Sequence, residues 1–354
     1  MSYGVRERLL TGERSNVLIV AFAALLVVAP FLVGPFQMRL LMESLVFAVF
    51  ALAFNLLYGY TGLLSFGHAM FIAVSGYTLA RFITLGAPAL GFEGLFGGAS
   101  VLVAFLVAVV LGVLAATILA VGIGYLSVQL EEIYFAMITL SFSMAIYAIA
   151  NQDIGGLTNG SDGISFILGE VNLFGFEFFL YNLSDPIVYY FLVLVMFAGA
   201  TYALWRIVNS PFGMVCKAIR ENPGRTEALG VNDTRHKWMT FIISGAFSGL
   251  AGAFLIPIQT GIGPSFAYWT FSAEPVIMTV IGGPYSFVGP IVGSFVYEYL
   301  RWAVDQYPFL ADHWQFAFGF VLLLVVLFFD NGVAGGIDWV RERAFGDGAS
   351  SSDD

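Results

Sequence analysis

A serine and a histidine three residues apart, Ser65 and His68, are the pair in this sequence closest to a nucleophile and its base. Residues at this spacing meet on one face of a helix, so the imidazole could take the proton of the hydroxyl, as in an intramembrane hydrolase. No third orienting group and no oxyanion-stabilising element accompanies the pair. We therefore interpret His68 as a buried hydrogen-bonding residue, and loss of hydrolysis in Ser65→Ala would be the mark of the catalytic alternative.

Acidic residues in or beside strongly apolar stretches are the next chemical candidates: Glu43, Glu274 and Glu298. An ionisable group at membrane depth is costly, so it is a functional candidate by default. Glu274 is the most suggestive, because it opens a short apolar piece that ends in Gly282 and Gly283, and these three residues are candidates for a translocation pathway. In an ion-coupled transporter Glu274 or Glu43 would carry a proton or bind sodium, whereas a carboxylate at a helix N-terminus is also good capping electrostatics.

The densest group of polar and glycine residues lies between two apolar stretches. It contains Asn55, Gly59, Thr61, Gly62, Ser65, Gly67 and His68. Unwound backbone with hydroxyl and amide side chains nearby is how transporters build a polar site at membrane depth. Glycines also allow tight turns and close helix packing. The segment is therefore a candidate part of a translocation pathway, and a packed turn remains the alternative.

A basic segment, residues 207–237, is more structured than a linker requires. Its sequence predicts a helix over 213–221, a turn at Pro223 and Gly224, and a second helix over 225–229 that stops at Gly230. A short amphipathic helix at a membrane surface is suited to dock in a groove of a soluble partner. Contact of its basic residues with anionic lipid is the alternative.

Several kinds of site are absent from the sequence. The single cysteine, Cys216, excludes an internal disulfide and any multi-cysteine metal site. The histidines, His68, His236 and His313, are too scattered for a zinc motif. No phosphate-binding loop of the Gly-x-x-x-x-Gly-Lys-Ser/Thr type occurs. We expect no metal and no cofactor on this chain, so any ATP would be bound by another subunit.

The composition places all of these residues in a membrane. Of the 354 residues, 59% are hydrophobic and 11% are charged, and the mean hydropathy is +0.87. A soluble domain is usually about 45–50% apolar and about 25% charged. Soluble enzymes, nucleic-acid binders, disordered proteins and disulfide scaffolds are therefore poor interpretations, and the partner to expect is a lipid bilayer rather than a nucleic acid.

The elements that position these residues are predicted to be membrane-spanning helices. A spanning helix needs about 20 mostly apolar residues, and lipid leaves backbone groups no water partner, so the fold class is all-α. We count nine spans and one broken or re-entrant half-span at 272–284. The spans are 16–34, 40–58, 62–84, 99–124, 133–150, 187–206, 238–258, 286–304 and 314–330.

Basic residues predict the orientation. Arginines precede the first span and basic residues fill 207–237, so the segment 1–15 and that loop are expected in the cytoplasm. The loop 151–186 carries acids and no Lys or Arg, which places it outside. We expect one permease domain over 16–335 and an acidic cytoplasmic tail over 336–354, disordered at its end. Parity favours a membrane-crossing role for 272–284. The first apolar run is longer than a signal core, so it is interpreted as a retained anchor.

The charge balance is unusual for a membrane protein. The formal net charge is −10, and arginine outnumbers lysine twelve to two. An acidic surface poor in lysine keeps a protein hydrated in concentrated salt, where screening suppresses repulsion between like charges. A halophilic source is one hypothesis, and ordinary acidic loops with a disordered tail are the alternative.

Several segments together resemble the LivM type of branched-chain amino acid ABC transporter permease. The run 54–80 reads FNLLYGYTGLLSFGHAMFIAVSGYTLA. The segment 134–163, the loop 210–237, the Ala251-Gly252-Ala253 stretch and Gly282–Gly293 are similar to that family in order and spacing. The resemblance runs from about residue 40 to 335, and the combination is specific even though single motifs are not.

The resemblance implies a non-catalytic subunit that works by alternating access. Its partners would be a second, LivH-like permease, two cytoplasmic ABC ATPase subunits that bind ATP and magnesium, and an external substrate-binding protein. The loop 213–232 would be the coupling element. Its residues expected at the ATPase are Arg220, Glu221, Arg225, Glu227, Ala228 and Gly230. Urea and amide permeases share the pattern, so the substrate stays open between branched-chain amino acids and urea or short amides.

Overall fold

The computed structural model describes residues 13–173, 176–184 and 186–306, together with Phe316, Gly319 and Leu323. The predicted span 314–330 lies outside the described residues except at those three positions. The acidic tail and nearly all of the N-terminal segment 1–15 lie outside them as well.

Helices make up most of the described chain, which confirms the all-α prediction. In order they are α1 (Glu13–Val28), α2 (Pro35–Thr61), α3 (Ala69–Arg81), α4 (Ala87–Ala89), α5 (Phe92–Phe96), α6 (Ser100–Ser127), α7 (Glu132–Asn151), α8 (Ile187–Val208), α9 (Pro211–Glu221), α10 (Pro223–Ala228), α11 (Asp233–Ile258), α12 (Trp269–Gly282) and α13 (Gly289–Asp305).

Six stretches of the described chain are long and apolar enough to span a membrane, fewer than the nine spans that the sequence predicts. They include α2, α6, α7, α8 and α11, and a sixth runs over Ala69–Ala89, where a π-helical turn links α3 to α4. α1 and α13 occupy the predicted spans 16–34 and 286–304 but have only 16 and 17 residues. The chain is therefore a multi-pass membrane protein whose helices are less uniform than its hydropathy indicates.

Short strands occur only between the helices of the described chain. β1 (Ile164–Ser165) pairs antiparallel with β4 (Gly261–Ile262), and β2 (Glu170–Leu173) pairs antiparallel with β3 (Phe176–Phe179). The β2–β3 hairpin lies in the loop 151–186, so its backbone need not be satisfied within lipid. We call the end of the bundle that carries this hairpin the hairpin end and the opposite end, with α9 and α10, the loop end.

Two of the passes between these ends are broken. After α2 the chain runs without helix through 62–68, and α3 starts only inside the bundle, where the Ala69 N–H donates to Ser272 Oγ at 3.0 Å. After α11 no α-helix follows until α12 begins at Trp269 and runs to the loop end; the leg 259–268 contains β4 and a 3-10 helix over Pro264–Ala267. α12 has 14 residues, or about 21 Å at 1.5 Å per residue. The half-span therefore crosses the bundle together with this leg.

The two broken passes belong to an inverted repeat. α2, the leg 62–68, α3 and α6 form one copy, and α11, the leg 259–268, α12 and α13 form the other, running in the opposite direction. α2 packs on α12 and α13, just as α11 packs on α3 and α6. Transporters with such repeats place their substrate sites at the interface between the two copies, beside the broken helices.

Small residues let the helices of the repeat approach closely. A Cβ on Gly293 of α13 would lie 1.8 Å from the Met278 carbonyl oxygen of α12, and one on Gly112 of α6 would lie 2.6 Å from Ser75 Oγ of α3. Close approach of backbones gives dense van der Waals contact, which replaces the hydrophobic effect as the force between helices in lipid. α2 is buried along most of its length, whereas α6 and α7 expose apolar side chains, as a lipid-facing surface requires.

Candidate functional site

The end of α2 is set by a glycine. Gly62 adopts φ +84°, and its N–H bonds the carbonyls of Leu57 and Tyr58. This left-handed cap is favourable for glycine and stops a helix. The predicted span 62–84 is therefore wrong at its start, because the cap at Gly62 leaves 62–68 as a leg and α3 begins only at Ala69.

The leg does not bring Ser65 and His68 together. Ser65 Oγ accepts the Gly67 N–H at 3.3 Å, whereas His68 Nε2 lies 2.8 Å from Ser244 Oγ on α11. Ser244 in turn donates to the Ala53 carbonyl at 2.6 Å. His68 is fully buried, and its ring meets three phenylalanine rings: those of Phe54, Phe71 and Phe241. The histidine thus ties the leg to α11, Ser244 ties α11 to α2, and a nucleophile–base geometry is absent from this part of the described chain.

Asn55 and Gly59 of α2 face the turn between α12 and α13. Asn55 Nδ2 donates to the Ser286 carbonyl at 3.4 Å, and its Oδ1 is buried without a partner among the described residues. A Cβ on Gly59 would lie 2.1 Å from the Pro284 carbonyl oxygen. Asn55 and Gly59, near the end of α2, therefore meet the turn that follows Gly282 and Gly283 at the loop end. Thr61 is buried beside them and donates to the Leu56 carbonyl at 3.1 Å.

The segment between α8 and α11 forms the two helices that the sequence predicts, with different boundaries. α9 begins at Pro211 rather than 213, and Pro223 and Gly224 are the first turn of α10 rather than a turn before it. Proline suits the first helical position, and Asn222 caps α10 by accepting the Arg225 N–H at 3.0 Å. Gly230 follows α10 at φ +84°, as expected of a helix stop.

The predicted ATPase-contacting residues divide between two surfaces. Glu221, Arg225, Glu227, Ala228 and Gly230 are exposed, as is Leu229, whose side chain is 83% accessible. We call this surface, from Glu221 to Gly230, the α10 face. Arg220 instead points into the bundle. Burial beside Thr240 raises the pKa of the Cys216 thiol on the same inner side of α9.

Arg220 connects α9 to both copies of the inverted repeat. Its Nη1 donates to the Gly59 carbonyl near the end of α2. Its guanidinium also lies 5.0 Å from the centre of the Tyr285 ring, in the turn after α12. A guanidinium over an aromatic face is an attractive cation–π contact. We call Arg220, Gly59, Gly62 and the turn 283–288 the loop-end junction.

Glu274 lies elsewhere, in a cleft at the hairpin end. The cleft is a cavity of about 500 Å³ between α2, α12 and α13. Glu274 is the sixth residue of α12, so the prediction that it opens the half-span is wrong, because the helix starts earlier at Trp269. It lies more than one turn from the N-terminus and therefore does not act as a helix cap.

The cleft contains charged residues that the sequence analysis did not single out. Arg39 Nε lies 3.0 Å from Glu43 Oε1, and Gln259 bridges the two with contacts of 3.1 and 3.2 Å. Arg301 Nη1 lies 3.7 Å from Glu274 Oε1. The available signal for Arg301 was its position within the predicted span 286–304, where a charged residue is costly. No group of residues suited to holding a metal ion occurs in the described part of the chain.

Known proteins resemble this chain over most of its length. A family model described as branched-chain amino acid transport system / permease component matches residues 37–327. The permease protein LivM of the high-affinity branched-chain amino acid transport system of Escherichia coli K12 is 27% identical over 76% of this chain and 64% of its own length. The probable LivM permease protein of Methanocaldococcus jannaschii is 26% identical over 80% of this chain and 89% of its own length.

The LivH permease protein of Escherichia coli K12 is 23% identical over 79% of this chain and 88% of its own length. The chain spans less than two thirds of the length of the first relatives, the two enterobacterial LivM proteins. No solved structure matches it. Because the family model covers residues 37–327, well over half of the chain, this protein belongs to the branched-chain amino acid transport system permease family.

Proposed function

We propose that this chain is one of two permease subunits of an ABC importer, which moves branched-chain amino acids from an external binding protein to the cytoplasm by ATP-driven alternating access. The observation that carries the proposal is the α10 face, an exposed surface whose helix pair is tied to the bundle by Arg220. The family match and the names of the LivM and LivH relatives support the substrate class.

The proposal gives each end of the bundle a side of the membrane. The loop end faces the cytoplasm, where basic residues are favoured, and the hairpin end faces the binding protein. A second permease of the LivH type completes the pathway. ATP and magnesium bind to two partner ATPase subunits, and this chain supplies no catalytic residue.

Arg220 is proposed to transmit the motion of the ATPases. A displacement of α9 pulls on the Gly59 carbonyl and on the Tyr285 ring through the same guanidinium. These groups lie at the ends of α2 and α12, one in each copy of the inverted repeat. A rigid-body shift of one copy against the other is the usual form of alternating access in repeat-built transporters.

Co-purification of the ATPase subunits tests the docking surface. Tagged chain is isolated from gently solubilised membranes as wild type and as a Glu227→Arg, Gly230→Asp double variant. We expect ATPase subunits with the wild type and not with the variant, because both changes fall on the α10 face. Glu131→Arg is the matched control, since Glu131 is exposed at the same end, in the loop between α6 and α7. Equal recovery of ATPase with wild type and double variant would contradict the docking surface.

An ion-coupled transporter is the second candidate, and the observation favouring it is Glu274, whose Oε2 is buried without a partner among the described residues. The energy source separates the two functions. Proteoliposomes that contain the complete assembly are given either ATP or an imposed proton or sodium gradient, and uptake of leucine and of urea is followed. We expect ATP-dependent leucine uptake, and gradient-driven uptake without ATP would overturn the ABC proposal.

A further inference from the structure

The charged cleft at the hairpin end lies within the depth of the bilayer. Glu43 is five residues from Ala48, the middle of the 27-residue helix α2, which places it about 7.5 Å from the helix centre at 1.5 Å per residue. The hydrocarbon core extends about 15 Å to each side of its midplane. Charged side chains at such a depth face a water-filled cavity or each other rather than lipid. The cleft is therefore a polar cavity whose charged side chains face water, a ligand or each other.

The charges of the cleft are only partly paired within it, since Arg39 contacts Glu43 at 3.0 Å and Arg301 lies 3.7 Å from Glu274. Glu274 is 8% accessible and Glu298 is 2% accessible, yet Glu274 Oε2 and Glu298 Oε1 have no hydrogen-bond partner among the described residues. A buried carboxylate oxygen without a partner is strongly unfavourable, so a site that retains two of them implies a ligand or ordered water. These two oxygens can therefore accept hydrogen bonds from a bound ligand or from ordered water.

The two guanidiniums in the same cleft can donate to an anion, and Arg39 already donates to Glu43 and also to Gln259. The side chains of Arg39 and Arg301 are 39% and 49% accessible, and the Arg301–Glu274 contact of 3.7 Å is too long for a hydrogen bond. A guanidinium carries five N–H donors in a fork that fits a carboxylate. A small molecule that carries both a cationic and an anionic group could bind the carboxylates and the guanidiniums at the same time.

Part of the cleft lining is apolar. The Phe271 ring lies 6.0 Å from the Phe47 ring and 5.2 Å from the Phe266 ring, measured between centroids. All three residues line the cavity together with Leu40 and Leu255. The cavity volume, about 500 Å³, is in the range of about 300–1,000 Å³ typical of small-molecule sites. Aromatic rings beside charged side chains suit a ligand with an aliphatic side chain and a charged head.

We propose that this cleft is a binding site for the zwitterionic head group of a free aliphatic amino acid. Arg301 and Arg39 pair with the α-carboxylate, Glu274 and Glu298 accept hydrogen bonds from the α-ammonium, and the lining phenylalanines contact the side chain. The assignment rests on the proposed function and narrows its substrate class, because neutral urea and amides cannot satisfy both sets of charges. None of the residues Arg39, Glu298 and Arg301 belongs to the pathway that the sequence predicts.

Protection of an introduced cysteine tests the site without measuring transport. Ser265 is exposed and lines the cleft, and the native Cys216 is fully buried against α11 near the loop end. Ser265→Cys is introduced into the complete assembly in lipid nanodiscs and labelled with a small methanethiosulfonate reagent. Leucine at ten times its Kd is expected to slow labelling about elevenfold, because only the free site reacts. Thr270→Cys, in the same cleft, provides a second reporter.

Four probes test which charged group of the ligand the site recognises. They are leucine, 4-methylpentanoate, which lacks the ammonium, isopentylamine, which lacks the carboxylate, and urea. We expect protection by leucine, weaker protection by the two half-molecules and none by urea. Glu298→Gln and Glu274→Gln should abolish the protection by leucine. Glu131→Gln, outside the cleft, should retain it.

Several outcomes would overturn the site, and they differ from failure of the proposed function. Leucine uptake without protection by leucine leaves the importer intact and removes this site. Protection by isopentylamine equal to that by leucine indicates a simple cation site. A cysteine in the cleft that never reacts in the assembly shows that a partner subunit covers the cleft. Protection by urea alone, with urea uptake, overturns both the site and the amino acid substrate.

Discussion

The loop-end junction and the cleft at the hairpin end are built in opposite ways. At the junction, one guanidinium lies on a backbone carbonyl, and Gly59 leaves no space for a methyl group. In the cleft, long charged side chains line a cavity of about 500 Å³ and leave two carboxylate oxygens unpartnered among the described residues. Dense backbone contact transmits the displacement of one helix to the next, whereas a large charged cavity can bind and release ligands or water. The proposed coupling junction and the proposed substrate site therefore lie at opposite ends of the same inverted repeat.

The largest effect is expected from a single methyl group at the junction. Gly59→Ala places a Cβ 2.1 Å from the Pro284 carbonyl oxygen, where backbone must move. Overpacking of this kind costs about 1–3 kcal/mol, so we expect a clear loss of thermal stability in the solubilised protein. Ser265→Ala at the rim of the cleft and Gly199→Ala on α8, where nothing lies within 4 Å of a Cβ, are the controls. Equal melting temperatures for all variants would show that the loop-end junction is packed no more tightly than the control positions.

Substitution of Arg220 sharpens the contrast in function. Arg220→Gln removes the charge that contacts the Gly59 carbonyl and the Tyr285 ring, and a hydrogen bond to a charged group contributes about 1.5–3 kcal/mol. We expect amino acid transported per ATP hydrolysed to fall about tenfold, which corresponds to about 1.4 kcal/mol, while ATPase subunits still co-purify. Arg235→Gln, an exposed arginine at the start of α11, is the control. Unchanged coupling in Arg220→Gln would make the junction a packing feature only.

A smaller effect is expected at the hairpin end outside the cleft. Asp153 Oδ1 accepts the backbone N–H of Thr158 at 2.8 Å, the hydroxyl of Thr158 at 3.0 Å and the N–H of Asn159 at 3.0 Å. These hydrogen bonds, that of the Thr158 backbone first, lower the pKa of the Asp153 carboxyl. Its ordering contribution is therefore complete above the unfolded pKa of about 3.9 and is lost as the pH falls through the lower folded value.

Hydrogen exchange at Thr158 and Asn159 measures this contribution. We expect a few-fold loss of protection in Asp153→Asn at neutral pH, since an amide oxygen is a weaker acceptor than a carboxylate. Asp162→Asn, an exposed acid in the same loop, should show no loss. Protection in Asp153→Asn equal to that of the wild type would show that the turn is ordered by other contacts, such as those of Arg81 with the carbonyls of Gly156 and Leu157.

The smallest effect is expected at the native cysteine. Cys216 is fully buried near Thr240, and burial raises the pKa of its thiol. Since the thiolate is the reactive form, we expect no labelling of the wild type during the time in which Leu229→Cys reacts completely. Leu229 lies on the α10 face at 83% accessibility. Rapid labelling of Cys216 would mean that α9 leaves the bundle, which contradicts a rigid junction.

Much of the junction could be predicted from local sequence. Glycine at 62 and 230, proline at 211 and 223, and asparagine at 222 act on their own few residues of backbone, and each is found at a helix end as turn chemistry requires. The start of α3 at Ala69 was not predicted, because residues 62–68 are mostly apolar and hydropathy contains no information about the left-handed cap at Gly62.

The cleft could be predicted only in part. The sequence marks Glu43, Glu274 and Glu298 as acids at membrane depth but does not say which basic residues join them. Arg39 and Gln259 are 220 positions apart in the chain, and α12 and α13 bring Glu274 to Arg301. Such pairings depend on which helix faces meet, and in an apolar chain the hydrophobic pattern carries little information about that choice.

The sequence by itself determined that this is a multi-pass helical membrane protein of the permease family with a helix pair between α8 and α11. Composition, span length and turn residues act locally, so they can be interpreted without knowing the neighbours. The tertiary structure alone decided that Arg220 turns inward, that the N-termini of two broken helices approach each other inside the bundle, and that four elements close one charged cleft. These features arise from long-range packing of similar helices, where close contact between small residues rather than hydropathy selects the partners.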